Sequence, residues 1–235
     1  MSDSILSFVE VNPSQPHSAV VIWLHGLGDS GNGFAPIVPE LKMPESLPVR
    51  FVFPHAPVRP ITVNNNMEMR AWYDITSMDF NHRADRVGVE ESAKQVEQLI
   101  DTEIANGTPA ERIVLAGFSQ GGVIALHLGT RINKKIAGIM ALSTYMCEPE
   151  TLTSEASNVN KETPILVAHG QQDNVVPVFM GNAAFKVLEE NGYPVTWQDY
   201  PMQHSVCLEE INHISANVSA KRTYPKRLAS FGIKM

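Results

Sequence analysis

Short apolar runs recur along this chain, each closed by a turn and separated from the next by a helical pattern. They are "AVVIWLH" (19–25), "VRFVFPHAP" (49–57), "RIVLAGF" (112–118), "IAGIMALS" (136–143), "PILVAHG" (164–170) and "VTWQDYP" (195–201). A strand that is apolar on consecutive residues has no face to offer water, so it belongs in a parallel sheet covered on both sides. Between the runs, 86–107 carries Val89, Ala93, Val96, Ile100 and Ile104 on one helical face and stops at Asn106-Gly107 before Pro109. Segments 120–132, 182–192 and 208–222 also read as helices. Strands alternating with helices predict an α/β architecture, a mainly parallel central sheet with helices on both faces. No internal repeat and no Gly-, Ser- or Pro-rich linker divides the 235 residues. One domain is expected over 1–222, without a large lid domain, followed by a basic tail, 223–235.

The formal net charge of −7 argues against a nucleic-acid surface, although Lys221, Arg222, Lys226, Arg227 and Lys234 crowd the last fifteen residues. "MSDSILSFVEVNP" has no basic segment leading into an apolar run, and no stretch is long enough to span a bilayer. These features point to the cytoplasm. Cys147 and Cys207 form no CxxC and read as thiols in a reducing compartment. The eight histidines make no HxH, HExxH or Cys/His pair at ligand spacing, so neither a metal nor another cofactor is expected.

Residues 117–121, Gly-Phe-Ser-Gln-Gly, fit G-x-S-x-G at the point where a strand turns into a helix. A serine on so sharp a turn has its hydroxyl exposed at the C-terminal edge of the sheet, and flanking glycines keep side chains out of the crowded bend. The turn also leaves the next amide, that of Gln120, at a helix N-terminus. A serine hydroxyl needs a base and a group to orient that base, and on this architecture the chain order is Ser, then Asp or Glu, then His. Asp173 follows the strand 164–170 in "HGQQDNVVP", and His204 follows 195–201 in "MQHSV". Ser119, Asp173 and His204 are therefore the expected nucleophile, acid and base. Asp199 lies within a strand and Asp101 on a helix, so both read as solvated charges, and His127 and His213 lie on helices. His169, at a strand end, reads as a support for the loop of Asp173.

"HGLGDSGNG" (25–33) also fits the dinucleotide fingerprint G-x-G-x-x-G. That fingerprint needs an acidic residue at the end of the following strand, which instead ends "FPHAP", and a long helix, where "FAPIVPELK" carries Pro36 and Pro39. The loop reads better as half of an oxyanion hole, with the Leu27 amide as one donor and that of Gln120 as the other.

Together "WLHGLGDSG", "FPHAPVRPITVNNNMEMRAWYDI", "RIVLAGFSQGG", "HGQQDNVVP" and "MQHSV" resemble the acyl-protein thioesterase, or phospholipase/carboxylesterase, family of α/β-hydrolases, over roughly residues 18–213. The resemblance implies an α/β-hydrolase fold and the same triad and oxyanion pair. It also implies cleavage of acyl esters or thioesters, lysophospholipids and S-acylated proteins among them, through an acyl-serine intermediate. It makes Pro60–Met78 a flap over an acyl channel, with Met67, Met69, Trp72 and Ile75 apolar within it and Val175 beside Asp173. Read alone, the flap residues suit a core as well as a groove. A short-chain carboxylesterase, a peptidase and a non-catalytic binding module are the rivals, and a homodimer is compatible with the sequence. Two departures stand out. Pro201 replaces the glycine that usually precedes the family's Met-x-His-Ser, which is expected to stiffen the approach to His204 and shift it at most slightly. After Ala216 the last helix loses its apolar periodicity, and Pro225 follows. Deleting 223–235 is accordingly expected to leave ester hydrolysis and the thermal midpoint largely intact; loss of either in the truncated chain would place the tail in the folded domain.

Overall fold

The computed structural model describes residues 5–77, 79 and 84–220. The tail at 223–235 and Met78, the last residue of the expected flap, lie outside them. Among the described residues nine strands and six α-helices follow in chain order: β1 (Phe8–Val11), β2 (Ala19–Leu24), α1 (Gly31–Phe34), β3 (Val49–Pro54), β4 (Val58–Ile61), β5 (Met67–Arg70), α2 (Arg86–Ala105), β6 (Ile113–Phe118), α3 (Gln120–Arg131), β7 (Gly138–Leu142), α4 (Leu152–Glu155), β8 (Ile165–Gly170), α5 (Val178–Glu190), β9 (Val195–Tyr200) and α6 (Leu208–Ala220). Seven strands form one sheet in the order β1-β3-β2-β6-β7-β8-β9, all parallel except β1, which runs antiparallel along β3 at one edge. β4 and β5 pair separately as a hairpin.

The apolar runs are continuous because the sheet separates two cores, and alternate residues of each strand enter different ones. Val20, Ile22 and Leu24 of β2, with Leu115 of β6, pack under α2, α3 and α5 beside Trp72 and Tyr73. Val21 and Trp23, with Val114 and Ala116, pack on the other face against Phe51, Phe53, Leu41 and the α6 residues Ile214 and Val218. Asp85 caps α2 by accepting from the Val87 and Gly88 amides, and Gly107 leaves its C-terminus at φ +100°.

Two elements were not evident from periodicity. β1 is a four-residue edge strand with only weak alternation. The β4–β5 hairpin is made of "VRPI" and "MEMR", both too polar to announce a strand. The helix expected from Asn182 begins at Val178, directly after Pro177, because proline cannot extend a helix backwards but starts one well. Cys147 is buried and Cys207 half-buried, and both are free thiols.

Glu210 is a carboxylate placed where it loses its water. It is fully buried in the first turn of α6, and among the described residues neither carboxylate oxygen has a hydrogen-bond partner. Desolvation pushes its pKa up to about 8, opposed only by the nearby Cys207 amide. The folded protein thus retains a proton that the unfolded chain, titrating near 4.5, has released. Stability falls as pH rises between those two values, by a few kcal/mol in all. Glu210→Gln should match the wild type at pH 5 and exceed its thermal midpoint by on the order of 5 °C at pH 8.5, measured by calorimetry across pH. Equal midpoints at both pH values would mean that the carboxyl finds a partner.

Candidate active site

Because β2, β6, β8 and β9 run parallel, the loops that follow them emerge at one edge of the sheet. Those loops carry Leu27, Ser119, Asp173 and His204. Ser119 joins β6 to α3 with φ 52° and ψ −118°, a conformation that side-chain-bearing residues adopt only at a cost of about 1–3 kcal/mol. Its backbone is held from both sides. The Ser119 amide donates to Leu142 O at 2.9 Å, and Thr144 Oγ1 donates to Ser119 O at 2.6 Å. The flanking glycines are there for space. A Cβ at Gly117 would lie 2.2 Å from Gly121 O, and one at Gly121 would lie 2.5 Å from Leu24 O and 2.7 Å from His25 O.

Asp173 has a fully buried side chain whose oxygens are all employed. Oδ1 accepts from the Val175 and Val176 amides at 2.9 and 2.8 Å, and Oδ2 accepts from His204 Nδ1 at 2.6 Å. That bond fixes the His204 tautomer with Nε2 as the basic nitrogen. The His204 ring leans on Phe118, the residue before the serine, with centroids 4.7 Å apart. Among the described residues neither Ser119 Oγ nor His204 Nε2 has a hydrogen-bond partner; serine–histidine contacts of this kind commonly tighten only when substrate arrives.

His169 closes the Asp173 loop from beneath. It is fully buried, its Nε2–H donates to Val176 O at 2.8 Å, and the same nitrogen lies 3.6 Å from Asp173 Oδ2. Burial lowers its pKa, so it stays neutral. The other candidates sit elsewhere. Asp101 pairs with Lys134, Asp199 bonds Gln171 and Trp197, and His213 bonds the Tyr200 hydroxyl. His127, its pKa lowered to about 4 mainly by burial, lines a cleft of about 470 Å³ with Arg86, Arg131 and Glu155.

The loop after β2 turns at Gly28, φ +77°, into α1, a single turn capped by Ser30. No long helix follows it to face a pyrophosphate, since a proline-containing 3₁₀ segment takes over at Ala35. The Gly28 and Asp29 amides donate to Arg70 O and Gly26 O, whereas among the described residues the Leu27 amide has no acceptor. Gln120 is the first residue of α3, so its amide has no carbonyl one turn behind it.

Of the residues expected in the acyl groove, Met67 is 64% and Val175 47% exposed, and Met69 is half-buried with its sulfur 3.8 Å from where a Gly28 Cβ would stand. Trp72 and Ile75 are corrections. Both belong to the core, Trp72 at 0% and Ile75 at 4% exposure, and offer no accessible wall. The apolar residues of 71–75 follow the hairpin inward beneath α2, where Ser92 Oγ bonds Trp72 O. His25 was missed. It is buried at the end of β2, donates from Nδ1 to Gly26 O at 2.7 Å and accepts the Ala56 amide at Nε2, 3.1 Å, with its pKa lowered chiefly by burial. Its position in "WLHGLG" next to the oxyanion loop was the available signal.

The phospholipase/carboxylesterase family model matches residues 7–221. The chain belongs to that family. It is 43% identical over 207 residues to acyl-protein thioesterase 1 of Neurospora crassa, covering 84% of each chain. It is 42% identical over 186 residues to the Schizosaccharomyces pombe protein of the same name, covering 79% of this chain and 82% of the other. Among solved structures it is similar to Arabidopsis thaliana SOBER1, with TM-score 0.83, 33% identity, and 87% of this chain and 99% of that one covered. It is likewise similar to Zea mays acyl-protein thioesterase 2, with TM-score 0.82, 27% identity, and 92% and 98% covered. The fold is that of an α/β-hydrolase, and the chain is a serine hydrolase of acyl esters. The elbow supplies a direct check. Gly121→Ala should force α3 away from β2, reducing ester hydrolysis at least tenfold and lowering the thermal midpoint, because the clashing atoms are backbone and cannot rotate aside. Full activity in this variant would show that the contact is not needed.

Proposed function

We propose that the protein cleaves long-chain acyl esters and thioesters, of lipids or of acylated proteins, through an acyl-serine intermediate. The observation that carries this reading is the 2.6 Å bond from His204 to a buried Asp173, on the sheet edge where Ser119 is held at positive φ. In the proposed cycle His204 Nε2 takes the Ser119 proton as Oγ attacks the acyl carbonyl. The Leu27 and Gln120 amides receive the developing oxyanion. His204 then protonates the departing alkoxide or thiolate, and the same base activates water to release the fatty acid. Activity should fall on the acid side as His204 becomes protonated. The scheme requires no metal, and among the described residues no group of three or more His, Cys, Asp or Glu side chains is placed to hold one.

The acyl substrate is supported by where apolar residues stay exposed. Val175, Phe179 and Leu208, 47–64% exposed, lie on the segments after β8 and β9 that carry Asp173 and His204, and Val58 and Met67, 58% and 64% exposed, open the two strands of the hairpin after β3; Ile5, Val87 and Val159 are exposed elsewhere. Such a concentration suits an alkyl chain better than a polar ligand. Met67, Met69 and Val175 are the proposed chain contacts. One domain through residue 222 is part of the same reading, as are the homodimer and a cytoplasmic setting; among the described residues no helix is long and apolar enough to cross a membrane.

A chain-length series of acyl esters with matched thioesters, run against Ser119→Ala, tests the proposal. Rates should climb toward long chains, Ser119→Ala should lose at least 10³-fold, and a fluorophosphonate should label only the wild type. A maximum at acetyl or butyryl would instead make this a small-ester carboxylesterase. Labelling of Ser119→Ala would move the nucleophile elsewhere.

A further inference from the structure

The two amides assigned to the oxyanion come from loops far apart in sequence, and one short segment is bonded to both loops. Arg70 O accepts the Gly28 amide at 2.8 Å, one residue from Leu27. Two residues on, the Trp72 amide donates to Gln120 Oε1 at 2.8 Å, and Gln120 Nε2 donates to Tyr73 O at 2.7 Å. The Trp72 indole then returns to the first loop, Nε1–H donating to His25 O at 2.9 Å. Arg70 Nη1 donates to Ala56 O at 2.8 Å, and the Ala56 amide donates to His25 Nε2, so the segment is also braced against the loop that follows β3. Trp72 is wholly buried and Gln120 is 3% exposed.

We propose that Arg70–Tyr73 sets the spacing and aim of the oxyanion amides, with the Gln120 side chain and Trp72 as positioning residues. Neither side chain reaches the reacting atoms in this role. Gln120 acts twice, its own amide serving the oxyanion while its carboxamide ties that amide's residue to the segment holding the Leu27 loop. A glutamine suits this task because its buried carboxamide accepts from the Trp72 amide and donates to Tyr73 O at once. Burying such a group unpaired costs about 1–3 kcal/mol, so the two bonds specify one arrangement of elbow and loop. The hairpin β4–β5 is then anchored at its base, and Met67 and Met69 extend from a fixed platform.

This inference rests on the oxyanion assignment proposed above. Its test is Gln120→Met, which keeps length and apolar volume, retains the backbone amide and removes both side-chain bonds. kcat for a long-chain ester should fall 10- to 100-fold with KM within twofold, because only the charged transition state uses the amides. The inhibition constant of a long-chain trifluoromethyl ketone, which forms a tetrahedral adduct on serine, should rise by the same factor, while that of the free fatty acid stays within twofold. Trp72→Phe, which loses only the indole bond to His25 O and some volume, should show the same pattern at 3- to 10-fold and guards against simple misfolding, with thermal midpoints measured for both. A rise in KM at unchanged kcat, or an unchanged ketone constant, overturns the proposal. Should Ser119→Ala remain active, the catalytic reading itself fails, a result separate from either variant's.

Discussion

The start of α3 lies so close to β2 and β6 that one methyl group has no room between them. Gly121 meets the carbonyls of Leu24 and His25, and Gly117 meets the carbonyl of Gly121. This approach has two consequences that cannot be had separately. It bends the chain so sharply that Ser119 must adopt positive φ, and it brings the N-terminus of α3 beside the loop that leaves β2. A looser junction would relieve the serine and also separate the two amides on which oxyanion stabilisation depends. The strain of about 1–3 kcal/mol is therefore tied to the function of the edge. Two flanking strands and Thr144 hold it in place.

The second constraint is charge. Among the described residues four imidazoles, those of His25, His55, His169 and His204, stand at this edge, and of these His204 has a carboxylate at hydrogen-bond distance. His25 and His169 are fully buried, and both have lowered pKa values because burial disfavours the cation. Each spends its single N–H on a backbone carbonyl, Gly26 O or Val176 O, and so shapes a loop. Neutral rings do this without placing a second positive charge beside the base. Of the two imidazoles beside Asp173, His204 keeps an accessible face and is the one that hydrogen-bonds the carboxylate. A charged residue in place of either buried ring would both break a loop and alter the field around the triad.

Much of this was legible from sequence. The apolar runs identified the parallel sheet because burial on both faces leaves no polar alternation to confuse the reading, and strand order in the chain put Ser119, Asp173 and His204 on one edge. What remained hidden depends on partners remote in sequence. "VRPI" and "MEMR" become strands only by pairing with each other. Trp72 looks like any exposed aromatic in an asparagine-rich segment until its indole is seen to meet His25 O. Glu210 looks like an ordinary first-turn acid of α6, yet it is buried, and among the described residues neither carboxylate oxygen has a hydrogen-bond partner. The Gln120 carboxamide gave no sequence signal, since G-x-S-x-G leaves that position open.

Pro201 shows how a local rule can be satisfied by context. A stiff residue just before the histidine loop suggests a slight shift of His204, and with Pro201 in place the histidine meets Asp173 at 2.6 Å. The loop is registered by contacts on both sides of the proline. Tyr200 O accepts the Gln171 amide at 2.8 Å, and Met202 O accepts the Gln172 amide at 3.0 Å. A Cβ on Gly170 would strike Gln203 O at 2.4 Å and Met202 O at 2.5 Å, so the histidine and aspartate loops are packed backbone to backbone. None of these bonds uses the amide that proline lacks, and the Met202 amide beyond it turns back to Tyr200 O. The position needs a residue whose N–H is dispensable, and proline meets that need while removing freedom from the unfolded chain. What holds His204 is the seam between two loops, and a change at Gly170 should disturb it more than any change at Pro201.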